Sequence, residues 1–224
     1  MDRMAVAREE LARDGFTVIR GLLNQQTLET AKGLVRRAAQ NVGIDDIFDP
    51  AVVDRIDQET WGKVRIASHY RLSDEFEEVY CGPDLLEAAS LLLGTAAKLF
   101  PVHKLRISAP DREFTTHPWH QDEATWPAML GRNPISVWAP LVPVDERNGL
   151  ALVPRAYDRL FEHEDQDGFL AVSDNSLVVD EHMPKLQPGD AIVFSCFTVH
   201  RSIPNRSEGL RLSLDFRYQA ASNP

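Results

Sequence analysis

The sequence predicts an α+β protein in which helices support a β-rich half folded as an antiparallel sandwich or jelly roll. Three observations predict it. Gln25 to Val42 places Leu28, Ala31, Leu34, Val35, Ala38 and Val42 at helical spacing, so one stripe of that segment is apolar. From Ala96 onward the texture changes to short runs of β-branched, aromatic and leucine side chains. Between those runs stand Asn148-Gly149, Pro188-Gly189-Asp190 and Pro204-Asn205, residues that turn a chain rather than extend it.

In chain order, residues 3–13 read as a helix that stops at Asp14-Gly15, and Phe16–Leu23 as a short strand. The amphipathic helix over 25–42 follows. Residues 43–60 are acidic, contain Asp49-Pro50 and read as a loop; "KVRIASHY" (63–70) reads as a strand or an extended segment. Asp74–Tyr80 and Pro83–Leu93 read as helices, the second with proline early and Gly94 just past its end. The strands are then "KLFPVHKLRIS", "ISVWAPL", "LALVP", "DAIVFSC", "TVHRSI" and "LRLSLDFRYQ". One domain spanning 1–224 is expected, with 1–95 mainly helical support and 96–224 mainly β core.

Composition narrows the partners. With 24 Lys+Arg against 34 Asp+Glu the net charge is −10, which argues against a nucleic-acid backbone or an anionic membrane. A small anionic ligand is still allowed, because one local arginine can hold one carboxylate. The 2 cysteines, Cys81 and Cys196, are far apart and form no thiolate metal motif, which suits a reducing cytoplasm. The charged N-terminus "MDRMAVAREELARDG" is no secretion signal, and "LLEAASLLLGTAA" is too short to span a bilayer. A small-molecule substrate is the expected partner.

The chemistry concentrates in "WHQDEATWP" (119–127). Side chains two apart on a strand share a face, so an extended "WHQD" projects His120 and Asp122 together and turns Gln121 away. An imidazole nitrogen and a carboxylate oxygen then offer two adjacent positions on one divalent ion. His200, in "FSCFTVHRSIPN", is the candidate for the third. Two histidines and a carboxylate form a facial triad that suits Fe(II) and leaves coordination positions open for a co-substrate and dioxygen. In "LRLSLDFRYQ", Leu210, Leu212, Leu214 and Phe216 alternate with Arg211, Ser213, Asp215 and Arg217. If the polar face looks inward, Arg211 can clamp a carboxylate through two charge-assisted hydrogen bonds. Ser202 shares a face with His200 and could join it. His117, three residues before the motif, is placed at the pocket mouth, and Trp126 is a candidate pocket wall.

His-x-Asp, a distant histidine and an arginine eleven residues after it resemble the phytanoyl-CoA dioxygenase family. The resemblance extends over "ARDGFTVIRGLL", "WHQDEATWP", "ISVWAPLVPVDERNGLALVP" and "LQPGDAIVFSCFTVHRSIPNRSEGLRLSLDFRY". It implies a double-stranded β-helix and a dioxygenase dependent on Fe(II), 2-oxoglutarate and O2. By position it implies His120, Asp122 and His200 as iron ligands, and Arg211 with Ser202 on the distal carboxylate of 2-oxoglutarate. It also implies Trp138 as a cofactor-lining residue and Arg65 as a basic residue near the cofactor. The implied reaction is hydroxylation of a metabolite with release of succinate and CO2. The presence of Asp122 speaks against the halogenating variants, which replace this carboxylate. One departure is "PRAY" (154–157), where the family usually has Pro-Gly-Ser-His; it leaves the role of the loop 158–176 open. Two other readings stand beside this one: a jelly-roll metal isomerase or hydrolase without oxygen chemistry, and a non-catalytic jelly-roll binding domain.

Overall fold

The computed structural model describes residues 2–66, 73–112, 115–126, 131–174 and 180–223. The chain runs α1 (Arg3–Asp14), β1 (Phe16–Ile19), α2 (Gln25–Gln40), a 3-10 turn (Pro50–Arg55), α3 (Gln58–Ile66), α4 (Ser73–Tyr80) and α5 (Pro83–Leu93). It continues through β2 (Ala97–Ser108), α6 (Asp122–Thr125), β3 (Ile135–Pro140), β4 (Leu150–Leu152), β5 (His163–Gln166) and β6 (Phe169–Val172). It ends with β7 (Ala191–Ser195), β8 (His200–Ser202) and β9 (Arg211–Ala220).

Five strands build the main antiparallel sheet in the order β1-β7-β3-β9-β2. Its two ends of sequence meet there: β1, from the helical half, pairs with β7 through Phe16 opposite Phe194. The apolar face of the sheet carries Leu105, Ile107, Val137, Val193, Leu212 and Leu214, and the helices cover it with the stripe Leu28, Ala31, Leu34 and Val35. Each such leucine contributes about 1.5–3 kcal/mol on burial. Asn24 starts α2 by accepting the Thr27 N–H through its side chain. Asp2 caps α1 in the same way through the Met4 N–H.

A second layer pairs β4 with β8, and backbone bridges extend it to His182 on one side and to His120 on the other. The Phe194 ring of the main sheet lies 4.6 Å from the His200 ring of this layer, so the two layers face each other. β5 and β6 form a hairpin beside it, and the Val172 N–H donates to the Trp119 carbonyl.

Three sequence expectations change here. "KVRIASHY" is not a strand: residues 63–66 close α3, and 67–70 lie outside the described residues. The acidic segment 43–60 holds the 3-10 turn and the start of α3, with Asp49 and Asp57 accepting backbone N–H groups at their starts. The open segment 158–176 contains the β5–β6 hairpin, turned at Asp167 (φ 53°) and Gly168 (φ 83°), the paired positive φ values of a tight hairpin turn; residues 175–176 lie outside the described residues. The "PRAY" departure has a packing role. Tyr157 donates its hydroxyl to the Ala12 carbonyl, and its ring lies where a Cβ on Gly15 (φ 84°) would sit. Only glycine ends α1 there without strain or collision.

Candidate active site

His120 and His200 face each other as a hydrogen-bonded antiparallel pair: each backbone N–H donates to the other's carbonyl, at 2.9 and 3.0 Å. Paired residues put their side chains on one face, and the two ring centroids are 4.2 Å apart. Gln121 is extended (φ −116°, ψ 136°), and Asp122 then opens the single turn of α6. The strand expected over "WHQD" therefore ends one residue before Asp122, yet the extended Gln121 still swings the carboxylate to the histidine side. Ligand atoms of His120, Asp122 and His200 all lie within 4.8 Å of one another, and all three residues are buried. Gln121 points away and is fully buried; its amide donates to the Arg159 and Phe197 carbonyls and its oxygen accepts the Phe161 N–H.

The protonation states suit a cation. Each Nδ1 lies 2.8–2.9 Å from the carbonyl two residues earlier, Pro118 for His120 and Thr198 for His200. A carbonyl can only accept, so Nδ1 carries the proton and Nε2 presents its lone pair. Burial, then the neighbouring His200, pushes His120 down to about 3, and burial lowers His200 as well. Burial works against the Asp122 charge most strongly, but Arg217, the two histidines and the Ser136 hydroxyl together outweigh it and hold the carboxyl well below its usual range. Arg217 donates to one Asp122 oxygen from Nη2 at 2.8 Å and from Nε at 3.2 Å; the Ser136 hydroxyl reaches the same oxygen at 2.6 Å. Two neutral imidazoles and one fixed carboxylate are the donor set a divalent ion of intermediate hardness takes.

Arg211 lies on the same buried face of β9. It is 2% exposed, its Nη1 donates to Ser213 at 2.9 Å, and its guanidinium stands 5.6 Å over the Trp138 ring. Its Nε has no hydrogen-bond partner among the described residues. Burial, then Arg106, lowers it to about 10, so it remains a cation at neutral pH. A buried guanidinium without a carboxylate is an incomplete arrangement that an anion completes.

The other expected residues distribute unevenly. Trp138 is buried against Phe194, Ile192, Leu150 and Leu152 between the layers. Ser202 is half-buried on β8 and its N–H donates to the His117 carbonyl, while the hydroxyl that Arg211 reaches is that of Ser213. His117 sits with its ring centroid 5.9 Å from that of His120, and its Nε2 is 2.9 Å from Arg106 Nη1. Trp126 is half-buried, with the Lys104 ammonium 4.0 Å over its ring. Arg65 is exposed at the end of α3, its guanidinium 4.7 Å over Trp61, and so does not sit in the buried pocket with Arg211. Three residues escaped the sequence reading. Ser136 and Arg217 hold Asp122, and Asp215 links Arg217 (3.1 Å) to Arg106 (2.9 Å). The alternation on β9 that exposed Arg211 also aligns Ser213, Asp215 and Arg217 and was the available signal.

The sequence pattern described as Phytanoyl-CoA dioxygenase (PhyH) matches residues 11–213. The chain belongs to that family. As a member it is an iron- and 2-oxoglutarate-dependent oxygenase. Among curated relatives, this dioxygenase-family chain is 24% identical to a 1-deoxypentalenic acid 11-beta-hydroxylase of Streptomyces arenae, over 93% of the chain and 78% of the relative. It is 20% identical to the peroxisomal phytanoyl-CoA dioxygenase of Bos taurus, over 96% and 68%. Its fold is similar to that of the epimerase SnoN in complex with Fe3+, alpha ketoglutarate and nogalamycin RO (TM-score 0.69, 18% identity, 98% of this chain and 84% of that one). It is also similar to EctD from S. alaskensis with 2-oxoglutarate and 5-hydroxyectoine (TM-score 0.68, 21% identity, 98% and 77%). No described helix is long and apolar enough to cross a membrane.

Proposed function

We propose that this oxygenase hydroxylates a small-molecule metabolite at an unactivated C–H bond, with His120, Asp122 and His200 as the iron ligands. The observation that carries the reading is the convergence of those three buried groups beside a buried arginine whose Nε finds no partner among the described residues. The two facing layers are read as a double-stranded β-helix, and the chain as one domain, because the apolar cluster joins the N-terminal helices to the main sheet. Bound at the triad, iron and 2-oxoglutarate supply the oxidising power to insert oxygen from O2 into a C–H bond as the co-substrate becomes succinate and CO2.

Every other part of the task falls to the chain. Arg211 holds the distal carboxylate of 2-oxoglutarate, with Ser213 fixing the guanidinium and Trp138 walling the site. Ser202, beside His200, is assigned to the same carboxylate. Arg217 and Ser136 occupy one Asp122 oxygen, which leaves the other for the metal and fixes its direction. The apolar residues around Trp138 exclude water, which strengthens each charged contact there. A cavity of about 860 Å3 beside Phe169, bordered by Trp61, Pro118, Arg112 and Arg206, offers the substrate entry; Phe169 in turn touches His117, next to His120. Both cysteines are free, which suits the cytoplasm. The arginine clamp favours oxygen chemistry over a metal hydrolase or isomerase, which needs no carboxylate holder.

The test is succinate release from 2-oxoglutarate with Fe(II) and a metabolite panel. Substrate-stimulated release by the native enzyme, lost in His120→Ala and in Asp122→Ala, is expected. Full turnover in either variant would overturn the assignment.

A further inference from the structure

Lys104 has a placement that neither iron nor 2-oxoglutarate explains. It lies on β2 directly across from Asp215, on the face of the sheet that looks into the site. A lysine opposite an aspartate ordinarily pairs with it. Here it does not. Asp215 is taken by Arg106 at 2.9 Å and Arg217 at 3.1 Å, and the Lys104 ammonium lies instead over Trp126, four residues after the ligand Asp122. Among the described residues Lys104 forms no ion pair. Glu123, on the same turn as Asp122, interacts with Cys196 and the Gly131 backbone rather than with Lys104.

The charges of the site also fail to cancel. Lys104, Arg106, Arg211 and Arg217 face Asp122 and Asp215, four cations to two anions. Fe(II) and the dianion of 2-oxoglutarate neutralise each other, so an excess of positive charge remains, two when Lys104 is protonated, in a chain whose net charge is −10. Arg106 and Arg217 are committed to Asp215 and Asp122, which leaves the Lys104 ammonium as the donor still to be matched. A single ammonium is one point charge with rotatable donors. It suits a group of charge −1 better than a phosphate, which calls for several donors.

We infer that Lys104, seated on Trp126, anchors a carboxylate of the primary substrate, which makes the substrate class a monocarboxylic acid. This rests on the proposed hydroxylase reading of the same site. Burial, then Arg106, lowers the lysine to about 7, so it is part-charged near neutral pH and gains from an anionic partner. One link to the cavity is on the page: the Arg65 guanidinium, whose charge acts on Lys104, stacks over Trp61, which borders the cavity.

The experiment is calorimetric binding to the full chain without oxygen, in the presence of Fe(II) and 2-oxoglutarate. The probes are octanoic, dodecanoic, phenylacetic and cyclohexanecarboxylic acids, each against its primary amide, with dodecyl phosphate as a further arm. At least one acid is expected to bind about tenfold or more tighter than its amide, the scale of one charge-assisted hydrogen bond. That preference disappears in Lys104→Met, whose fold is checked by circular dichroism, and returns in part in Lys104→Arg. Equal binding of every acid and amide, a preference that survives in Lys104→Met, or tighter binding of dodecyl phosphate than of dodecanoate would overturn the inference. Binding of 2-oxoglutarate is recorded first in the same cell; its absence overturns the proposed function instead, while the acid–amide comparison on the protein alone still decides the anchor.

Discussion

The two faces of β9 are buried alike and do different work. Leu212, Leu214 and Phe216 face the helices; Arg211, Ser213, Asp215 and Arg217 face the second layer, and all seven are less than about a tenth exposed. Burying the apolar face stabilises the fold directly. Burying the polar face costs desolvation for each charge, which pairing within the face only partly offsets. A strand that carries such a face is retained for what the charges hold in place. The apolar side is therefore expected to govern stability alone, and the polar side to govern stability and ligand binding together.

The largest effect is expected from the polar face. Arg217→Met leaves Asp122 and Asp215 as neighbouring buried carboxylates, and breaking such a pair costs about 3–5 kcal/mol. Loss of an outer partner of a metal ligand also weakens metal binding by about 10–100-fold. Denaturant melts and Fe(II) titration of the same preparation measure both; a variant that loses stability and keeps its iron affinity would break the comparison. On the apolar face, Leu214→Ala is expected to cost about 2–5 kcal/mol. Its iron and 2-oxoglutarate affinities, measured on the folded fraction, should match the native protein. Arg211→Ala is expected to weaken 2-oxoglutarate by about 10–100-fold, the loss of charged hydrogen bonds, with Fe(II) affinity little changed. An unaltered 2-oxoglutarate requirement would remove Arg211 from the site.

How far the sequence alone reached depends on the range of the interactions involved. The period-two alternation in "LRLSLDFRYQ" made both faces of β9 legible, and His120, Asp122 and His200 were legible from residue type and interval. Arg217 was not assigned, because its partner Asp122 is 95 residues away and no local pattern connects them. The strand reading of 63–66 failed for a related reason: α3 is held by Trp61 bonding to β2 across 46 residues, while its β-branched run imitates a strand. The β5–β6 hairpin did carry a local signal, Asp167-Gly168, which its acidic and poorly alternating strands obscured.

Two smaller effects sharpen the contrast. Tyr157→Phe removes a neutral hydrogen bond between "PRAY" and α1, far from the polar face, and is expected to cost about 0.5–1.5 kcal/mol without altering iron binding. Lys104 adds a pH signature. Its folded value of about 7 lies below the ordinary lysine value of about 10.4, so in between the unfolded chain holds the proton and the folded chain does not. Stability therefore rises with pH through that window. Relative to Lys104→Met, the native protein is expected to gain stability from pH 7 towards 10; parallel pH profiles of the two proteins would contradict this.

The most direct test of the metal centre is an oxygen-free Fe(II) titration of metal-stripped protein, native and His200→Ala side by side. One iron per native chain, and binding weakened by orders of magnitude in the variant, is the predicted result. Equal occupancy and affinity in the two proteins would contradict the account, since iron would then reside away from the paired histidines.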